Sequence, residues 1–412
     1  MDTKDIYERL KVRKRINAAG LLTRLGGSLM PAEVVEAMAE AASSSVDITE
    51  LQVQASSVIA ECTGAEAGLV TSGAAAALTL ATAACLTGLD VTRMDRLPDT
   101  GDMPNEVVMC RTHRTGYDHA IRAAGAWIRD VGFNDRAMRA GVRGVELWEI
   151  EAAITPKTVA IAYTATPANE PPLEEVTAVA QRCRVPVIVD AAAQLPPREN
   201  LRRFIAEGAS LVAFSGGKAI RGPQSSGILC GHRDLIAAAL LQQLDMDVAP
   251  GWSPPESLIP RGVLRGIPHH GIGRGFKVGK EEIVGLIVAL ERFVRLDVRS
   301  EMARLESLLA TIARRLEGVP GVRTRLRSAE ETRRVPLLEI VLDEAALGRA
   351  AASVSEELKL GEPPVHVSEY HVSEGVLTID PMGLRSGDDI VVATRLRAVL
   401  AQQSPGSRGW TS

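Results

Sequence analysis

Six short runs of almost uninterrupted apolar residues, separated by stretches with helical spacing, constrain this chain more than any other feature. They are Ala67–Thr71, Glu106–Cys110, Thr158–Tyr163, Val185–Asp190, Ser210–Phe214 and Gly227–Cys230. Runs such as TVAIAY and VPVIVD lack the polar alternation of a strand with one wet face, so both of their faces must be covered. Strands alternating with helices predict an α/β fold, a mainly parallel sheet sandwiched by helices, over about residues 50–270.

A chain of 412 residues exceeds what one core usually serves, since single cores stop growing at about 250–300 residues. The pattern changes after about residue 280: an amphipathic helix (Lys280–Arg295), a charged helix (Ser300–Leu316), a strand (Val335–Leu342), a helix (Glu344–Leu358), a strand (Val376–Asp380) and a last helix from Asp388. The expected organisation is an N-terminal segment, 1–50, packing on the active site; a large domain, 51–280; a smaller C-terminal α+β domain, 281–403; and a flexible polar tail, 404–412. Within the first segment, Pro31 opens a helix with Val34, Val35, Met38 and Ala42 on one face.

Charge narrows the partners. Forty-seven Lys and Arg against fifty-one Asp and Glu leave −4, which gives no general attraction for nucleic acid or anionic lipid. The uncharged stretch Ser72–Leu89 is mostly Ala, Thr and Gly, which bury little apolar area each. It predicts a helix packed in a core, not a membrane span. Five dispersed cysteines without a CxxC pair point to reduced thiols, and the charged start MDTKDIYERLKVRKR lacks the apolar region of a secretory signal. A cytoplasmic protein with a small-molecule substrate, no nucleic acid and no membrane is the expectation.

The densest chemistry lies between Val185 and Gly231. VPVIVDAAAQLPP places Asp190 at the carboxyl end of an apolar strand, where a carboxylate is costly unless paired or hydrogen-bonded. SLVAFSGGKAIRGPQSSGILCG places Lys218 just past another buried strand, between glycines that leave room for a planar group. Ligands of open α/β sheets bind at the carboxyl ends of strands, and a buried lysine has its pKa lowered and its amine freed as a nucleophile. Two readings stand: a structural ion pair, or the pair an aldehyde cofactor with a basic ring nitrogen needs, Lys218 to condense and Asp190 to keep the ring protonated.

Neighbouring residues add weight. Val70-Thr71-Ser72-Gly73-Ala74-Ala75-Ala76 runs from strand to helix, where free amides with the Thr71 and Ser72 hydroxyls form an anion cradle, or only a helix cap. Ser215 offers a hydroxyl three residues before Lys218. His113 follows the strand Glu106–Cys110, and its imidazole either stacks on a cofactor ring or serves as a cap; His119 is a weaker candidate. Competing motifs fail. GRGFKVGKEE has a misplaced glycine, with Glu281 where a Walker A loop needs Ser or Thr, and Gly271-Ile272-Gly273-Arg274-Gly275 lacks dinucleotide spacing. His269–His270 has no obvious carboxylate partner in sequence, so no metal is expected.

The order of TSGAAAAL, VDAAAQ and FSGGKAIRGPQSSGILCG resembles the fold-type I pyridoxal-phosphate (PLP) enzymes. More narrowly it is similar to the branch holding bacterial selenocysteine synthase and D-glucosaminate-6-phosphate ammonia-lyase. INAAGLLTRLGGS and GRGFKVGKEEIVGLIVAL match the same branch, so the likeness runs from Ile16 to about Leu296. It implies PLP as cofactor, Lys218 as the Schiff-base lysine, Asp190 as partner of the pyridine nitrogen, and Ala192 beneath the ring. Ser72, Gly73, Ala74 and Ser215 would hold the phosphate, and His113 would stack on the ring. The resemblance also implies a homodimer or larger homo-oligomer, with Arg274 serving the adjacent subunit.

Selenocysteine synthases carry an N-terminal tRNA-binding domain, whereas this sequence reaches INAAG by residue 20 and shows only KVRKR as a basic patch. A tRNA substrate is therefore disfavoured. The resemblance then implies a lyase acting on a small amino acid, β-hydroxy or amino-sugar acid, by α,β-elimination that releases ammonia and a 2-oxo acid. An arginine would clamp the substrate carboxylate, with Arg385 first and Arg24 or Arg221 next. A racemase, epimerase or aldolase, or a non-catalytic PLP-binding protein, are the alternatives.

Overall fold

The computed structural model describes residues 5–133, 144–249 and 251–401. Met30–Arg295 forms one compact unit; the chain up to Leu29 and the chain from Leu296 together form the other.

The larger unit is built on a seven-stranded sheet. Its strands are β1 (Ala67–Thr71), β2 (Glu106–Cys110), β3 (Trp127–Val131), β4 (Thr158–Thr164), β5 (Val187–Asp190), β6 (Leu211–Ser215) and β7 (Gly227–Gly231), in the spatial order β1-β7-β6-β5-β4-β2-β3. β7 is antiparallel to both neighbours and the remaining pairs are parallel. The apolar runs are dry on both faces: Val107, Ile161, Ile188, Val212 and Leu229 are at most 1% exposed. The uncharged stretch is the helix Ala74–Thr87, whose Ala77, Leu80, Ala81 and Ala84 are fully buried in the same core. Its small side chains let it pack across the strands. Among the described residues no helix is long and apolar enough to cross a membrane.

β3 carries no apolar run and is not foreseen in the sequence. It is an edge strand, paired on one side only, so just Val131 of WIRDV is buried. Its charges are paired instead: Arg129 with Glu106 at 3.1 Å and Asp130 with Arg114 at 2.6 Å. In the helix Ala32–Ala42 only Val34 is buried, while Val35 is 48% exposed, so the expected four-residue apolar face narrows. Adjacent helical residues point about 100° apart, which leaves Val35 off the contact. The partners of this helix include Lys280–Arg295, which buries Ile283, Leu286, Leu290 and Phe293 within the larger unit. The unit therefore ends at Arg295, not at 280.

The smaller unit joins the two ends of the sequence. Ile16–Ala18 pairs in parallel with Val365–Val367, and a three-stranded antiparallel sheet runs Val376–Ile379, Leu337–Leu342, Val322–Arg327. Leu309, Ile312, Leu338, Ile340, Val354 and Leu396 form its dry core. The segment 1–50 is thus divided at Leu29 between the units. The single helix expected over Glu344–Leu358 is two, Glu344–Leu347 and Ala351–Leu360, because Gly348 at φ +62° ends the first.

Ile188→Ala, at 1% exposure in the middle of the sheet, is expected to cost about 2–5 kcal/mol. Trp127→Ala, at 75% exposure on the edge strand, should stay within about 0.5 kcal/mol. Urea denaturation of the two variants checks the contrast.

Candidate functional site

The carboxyl ends of the parallel strands meet the start of β7 along one edge of the larger unit. Thr71 and Ser215 both pair with Gly227, and Asp190 pairs with Thr164 on one side and Ala213 on the other. A Cβ on Gly227 would fall 2.5 Å from the Gly73 carbonyl carbon and 2.7 Å from the Ala74 nitrogen. Only glycine lets the start of the helix Ala74–Thr87 lie flat on the strand there. Gly73 caps that helix without a side-chain hydrogen bond, so its first amides are not closed by a cap.

The hydroxyls expected to join those amides are engaged with backbone. Thr71 Oγ1 donates to the Gly73 carbonyl at 2.9 Å and Ser72 Oγ to the Phe276 carbonyl at 2.8 Å. The second bond ties the turn Ile272–Phe276, from the GRGFKVGKEE stretch, to the helix start, which no local signal foretells. Ser215 is half-buried at the end of β6.

Asp190 is the one carboxylate on this edge of β5. Burial pushes its carboxyl up from the ordinary range, opposed by the Ala192 amide donating to Oδ1 at 3.0 Å and by the nearby positive charge of Lys218. Ala192 thus meets Asp190 through its backbone nitrogen. Lys218 is half-buried in the turn that follows β6, closed by Arg221 N–H donating to the Lys218 carbonyl (3.0 Å) and Gly222 N–H to the Gly216 carbonyl (2.9 Å). The flanking glycines have a different reason from the one expected. A Cβ on Gly217 would lie 2.5 Å from Gln224 Cα, so they accommodate the returning chain. Arg221 is on this turn at φ +63°.

His113 is 3% exposed, two strands from Asp190 and connected by Thr164, whose Oγ1 donates to the His113 carbonyl at 2.8 Å. Its Nε2 lies 2.9 Å from the Glu170 carbonyl, which can only accept, so Nε2 carries the proton and the buried Nδ1 has no partner. Burial lowers its pKa, keeping the ring neutral. The ring meets Tyr163 edge-on at 4.5 Å. Tyr163, Thr164, Asp190, Thr115, Tyr117 and Asp118 line one narrow slot. Asp118, buried and paired with Arg114, was not singled out from sequence, where an aspartate at a helix start looks like a cap. His119 is exposed beside Arg122.

Arg274 pairs with Asp245 at 2.6 Å. His269 and His270 do have carboxylate partners, Asp95 at 2.9 Å and Asp247 at 3.5 Å, both distant in sequence and brought close by folding. Arg24 and Arg385 belong to the smaller unit and line a cavity of about 700 Å³ there, whereas Arg221 shares the unit of Lys218 and Asp190.

The family SelA, L-seryl-tRNA selenium transferase, matches residues 15–247. The chain is 32% identical to a 5'-C-glycyluridine monooxygenase-decarboxylase of a Streptomyces species, over 98% of this chain and 94% of that one. It is also 32% identical to D-glucosaminate-6-phosphate ammonia lyase of Salmonella typhimurium, over 96% of this chain and 98% of the relative. A solved structure of D-glucosaminate-6-phosphate ammonia-lyase superposes with a TM-score of 0.80 at 31% identity, covering 97% of this chain and 98% of that one.

The buried carboxyl yields a test that separates the two readings of Asp190. Because its folded-state pKa is raised above the ordinary 3.8, ionisation at neutral pH costs the folded state stability. Asp190→Asn in cofactor-free protein should therefore raise the urea midpoint at pH 7, with the gain fading as the pH falls toward about 4. A lowered midpoint at pH 7 would mark Asp190 as half of a stabilising ion pair.

Proposed function

The chain belongs to the SelA family, with the α/β architecture of fold-type I PLP enzymes, and from that premise we propose that it is a PLP-dependent lyase. Its substrate is a small amino acid of the amino-sugar-acid or β-hydroxy class, from which it releases ammonia and a 2-oxo acid. The observation that carries this is the Asp190–Lys218 couple: a buried carboxyl that feels the lysine's charge, on the sheet edge that also holds an uncapped helix start. The ammonia lyase of similar length supports the reaction class.

The residues fit the cofactor. Gly73 and Ala74 at the helix start, with Ser72 and Ser215 beside them, would hold its phosphate, because amides at a helix N-terminus favour an anion. Asp190 would hold the proton on its ring nitrogen, the role a carboxyl with one amide donor is left open to fill. Lys218 would hold its aldehyde carbon, and His113, neutral with an unpartnered Nδ1, would lie against the ring. When bound, PLP supplies the electron sink that makes loss of a substrate α-proton accessible.

The protein's own groups do the rest. Lys218 Nζ, freed once the substrate amine has replaced it on the aldehyde carbon, would take the α-proton, as an amine placed at the reacting carbon can. An arginine, Arg385 first and Arg24 or Arg221 next, fixes the substrate carboxylate and with it the α-bond that breaks. Working as a homo-oligomer in the cytoplasm, with Arg274 facing the neighbouring copy, is part of the same reading. The equal identity to the monooxygenase-decarboxylase favours a second reading, loss of the carboxylate as carbon dioxide with consumption of oxygen.

Borohydride reduction of the purified protein should leave a pyridoxyl mass tag on the peptide containing Lys218. Lys218→Ala should lower 2-oxo acid release from responsive amino acids by about 10²–10⁴-fold. Full turnover in that variant overturns the lyase assignment; carbon dioxide with oxygen uptake in place of ammonia moves it to the second reading.

A further inference from the structure

Where β3 leaves one edge of the sheet to solvent, β1 buries the other. β1 is hydrogen-bonded on one side only, to β7, yet all five of its residues are buried. Its outward backbone groups cannot reach water and need partners from elsewhere in the chain. The helix Ile48–Thr63 supplies them. Ser56 Oγ accepts the Gly68 N–H at 2.9 Å. Gln52, 1% exposed, clasps Val70 at both ends. Its Oε1 accepts the Val70 N–H at 3.1 Å, and its Nε2 donates to the Val70 carbonyl at 2.9 Å. This side-chain amide stands in for the missing strand, two residues before Ser72.

The clasp extends beyond the strand edge. The second hydrogen of Gln52 Nε2 goes to Gln243 Oε1 at 3.3 Å, on the last turn of the helix Arg233–Gln243. The neighbouring Gln242 accepts the Ile272 N–H on its Oε1 at 3.0 Å. A Cβ on Gly271 would lie 2.5 Å from Gln242 Cα, so the turn Ile272–Phe276 starts flush against this helix end. That turn receives Ser72 Oγ at the Phe276 carbonyl. The contacts close a ring: Val70 to Gln52, Gln243 and Gln242, then Ile272 to Phe276, and back to Ser72. The next residues, Gly73 and Ala74, are the helix start.

The ring is costly to the fold. Gln242 and Gln243 are 0% and 5% exposed, and the Nε2 of each is buried with no hydrogen-bond partner among the described residues. Apolar side chains of similar length would fill the same space without stranding those donors. Both glutamines are used through their carbonyl oxygens, as acceptors that join segments distant in sequence. What the ring adds is position. It fixes the chain on both sides of Thr71, and with it the direction of the Gly73 and Ala74 amides.

We propose that Gln52 and Gln243 are positioning residues for phosphate binding: they aim the first amides of the helix Ala74–Thr87 without touching the ligand. This rests on the reading of that helix start as the phosphate site of PLP, and deepens it.

Affinities of the full-length protein, freed of cofactor, for PLP and for pyridoxal test it, since the two share ring and aldehyde and differ in the phosphate. Gln52→Met and Gln243→Met keep the side-chain length and remove the hydrogen bonds. Each should weaken PLP about tenfold or more while leaving pyridoxal within about threefold. Ser56→Ala breaks an edge contact outside the ring, so it should lower the urea midpoint with the ratio of the two affinities unchanged. Circular dichroism of each variant establishes that it is folded. If Gln52→Met does not fold, Gln243→Met carries the test, because it leaves the clasp on Val70 intact. Equal losses for PLP and pyridoxal, or unchanged affinities in folded variants, overturn the proposal. So does a ratio lowered as far by Ser56→Ala, or wild-type protein that binds PLP no more tightly than pyridoxal. The lyase reading fails separately: selective loss of PLP in these variants, with no ammonia released by the wild-type protein, would sink it and leave the ring's role intact.

Discussion

The site depends on one backbone-to-backbone contact, Gly227 against Gly73 and Ala74, where a Cβ would come within 2.5 Å. That closeness brings the positive end of a fourteen-residue helix onto the sheet edge where Thr71 and Ser215 flank Gly227. The helix can lie there because its buried face is alanine and threonine as well as leucine, so its axis comes near the strands. The composition that makes Ser72–Leu89 look superficially like a membrane span is the same one that seats an anion-favouring helix end beside the site.

The electrostatics follow from that seating. Asp190 ends a dry strand and lies half-buried, so its proton is held more tightly than usual, and the charge of Lys218 opposes the effect. His113 is kept neutral by the same burial and is oriented by the Glu170 carbonyl, which leaves its acceptor nitrogen unpartnered. These two polar groups carry desolvation costs that stability alone does not explain, and incompletely satisfied buried polar groups concentrate at functional sites.

Much of this was legible before folding was considered. Five of the six apolar runs match strands to within a residue at each end, because a strand buried on both faces advertises itself residue by residue. The sixth begins two residues late, at Val187. Lys218 and Asp190 stand out for the converse reason, as charges at the ends of such runs. The edge strands Trp127–Val131 and Val322–Arg327 were silent, since an edge needs one neighbour and tolerates Arg and Asp on its free side. Ile16–Ala18 is too short to show a period, and its partner lies some 350 positions away.

The sequence by itself determined six of the sheet's seven strands, the buried helix and the family, because burial on both faces and a fixed order of motifs are properties of consecutive residues. Only the tertiary structure decided that Ser72 and Thr71 give their protons to carbonyls, that Gly217 beside Lys218 makes way for Gln224, and that His269 and His270 find acids. It alone gathered Arg24 and Arg385 around one cavity. Hydrogen-bond partners and local charge balance depend on which distant segments come within a few ångströms, and that distance is set by packing, not by position along the chain.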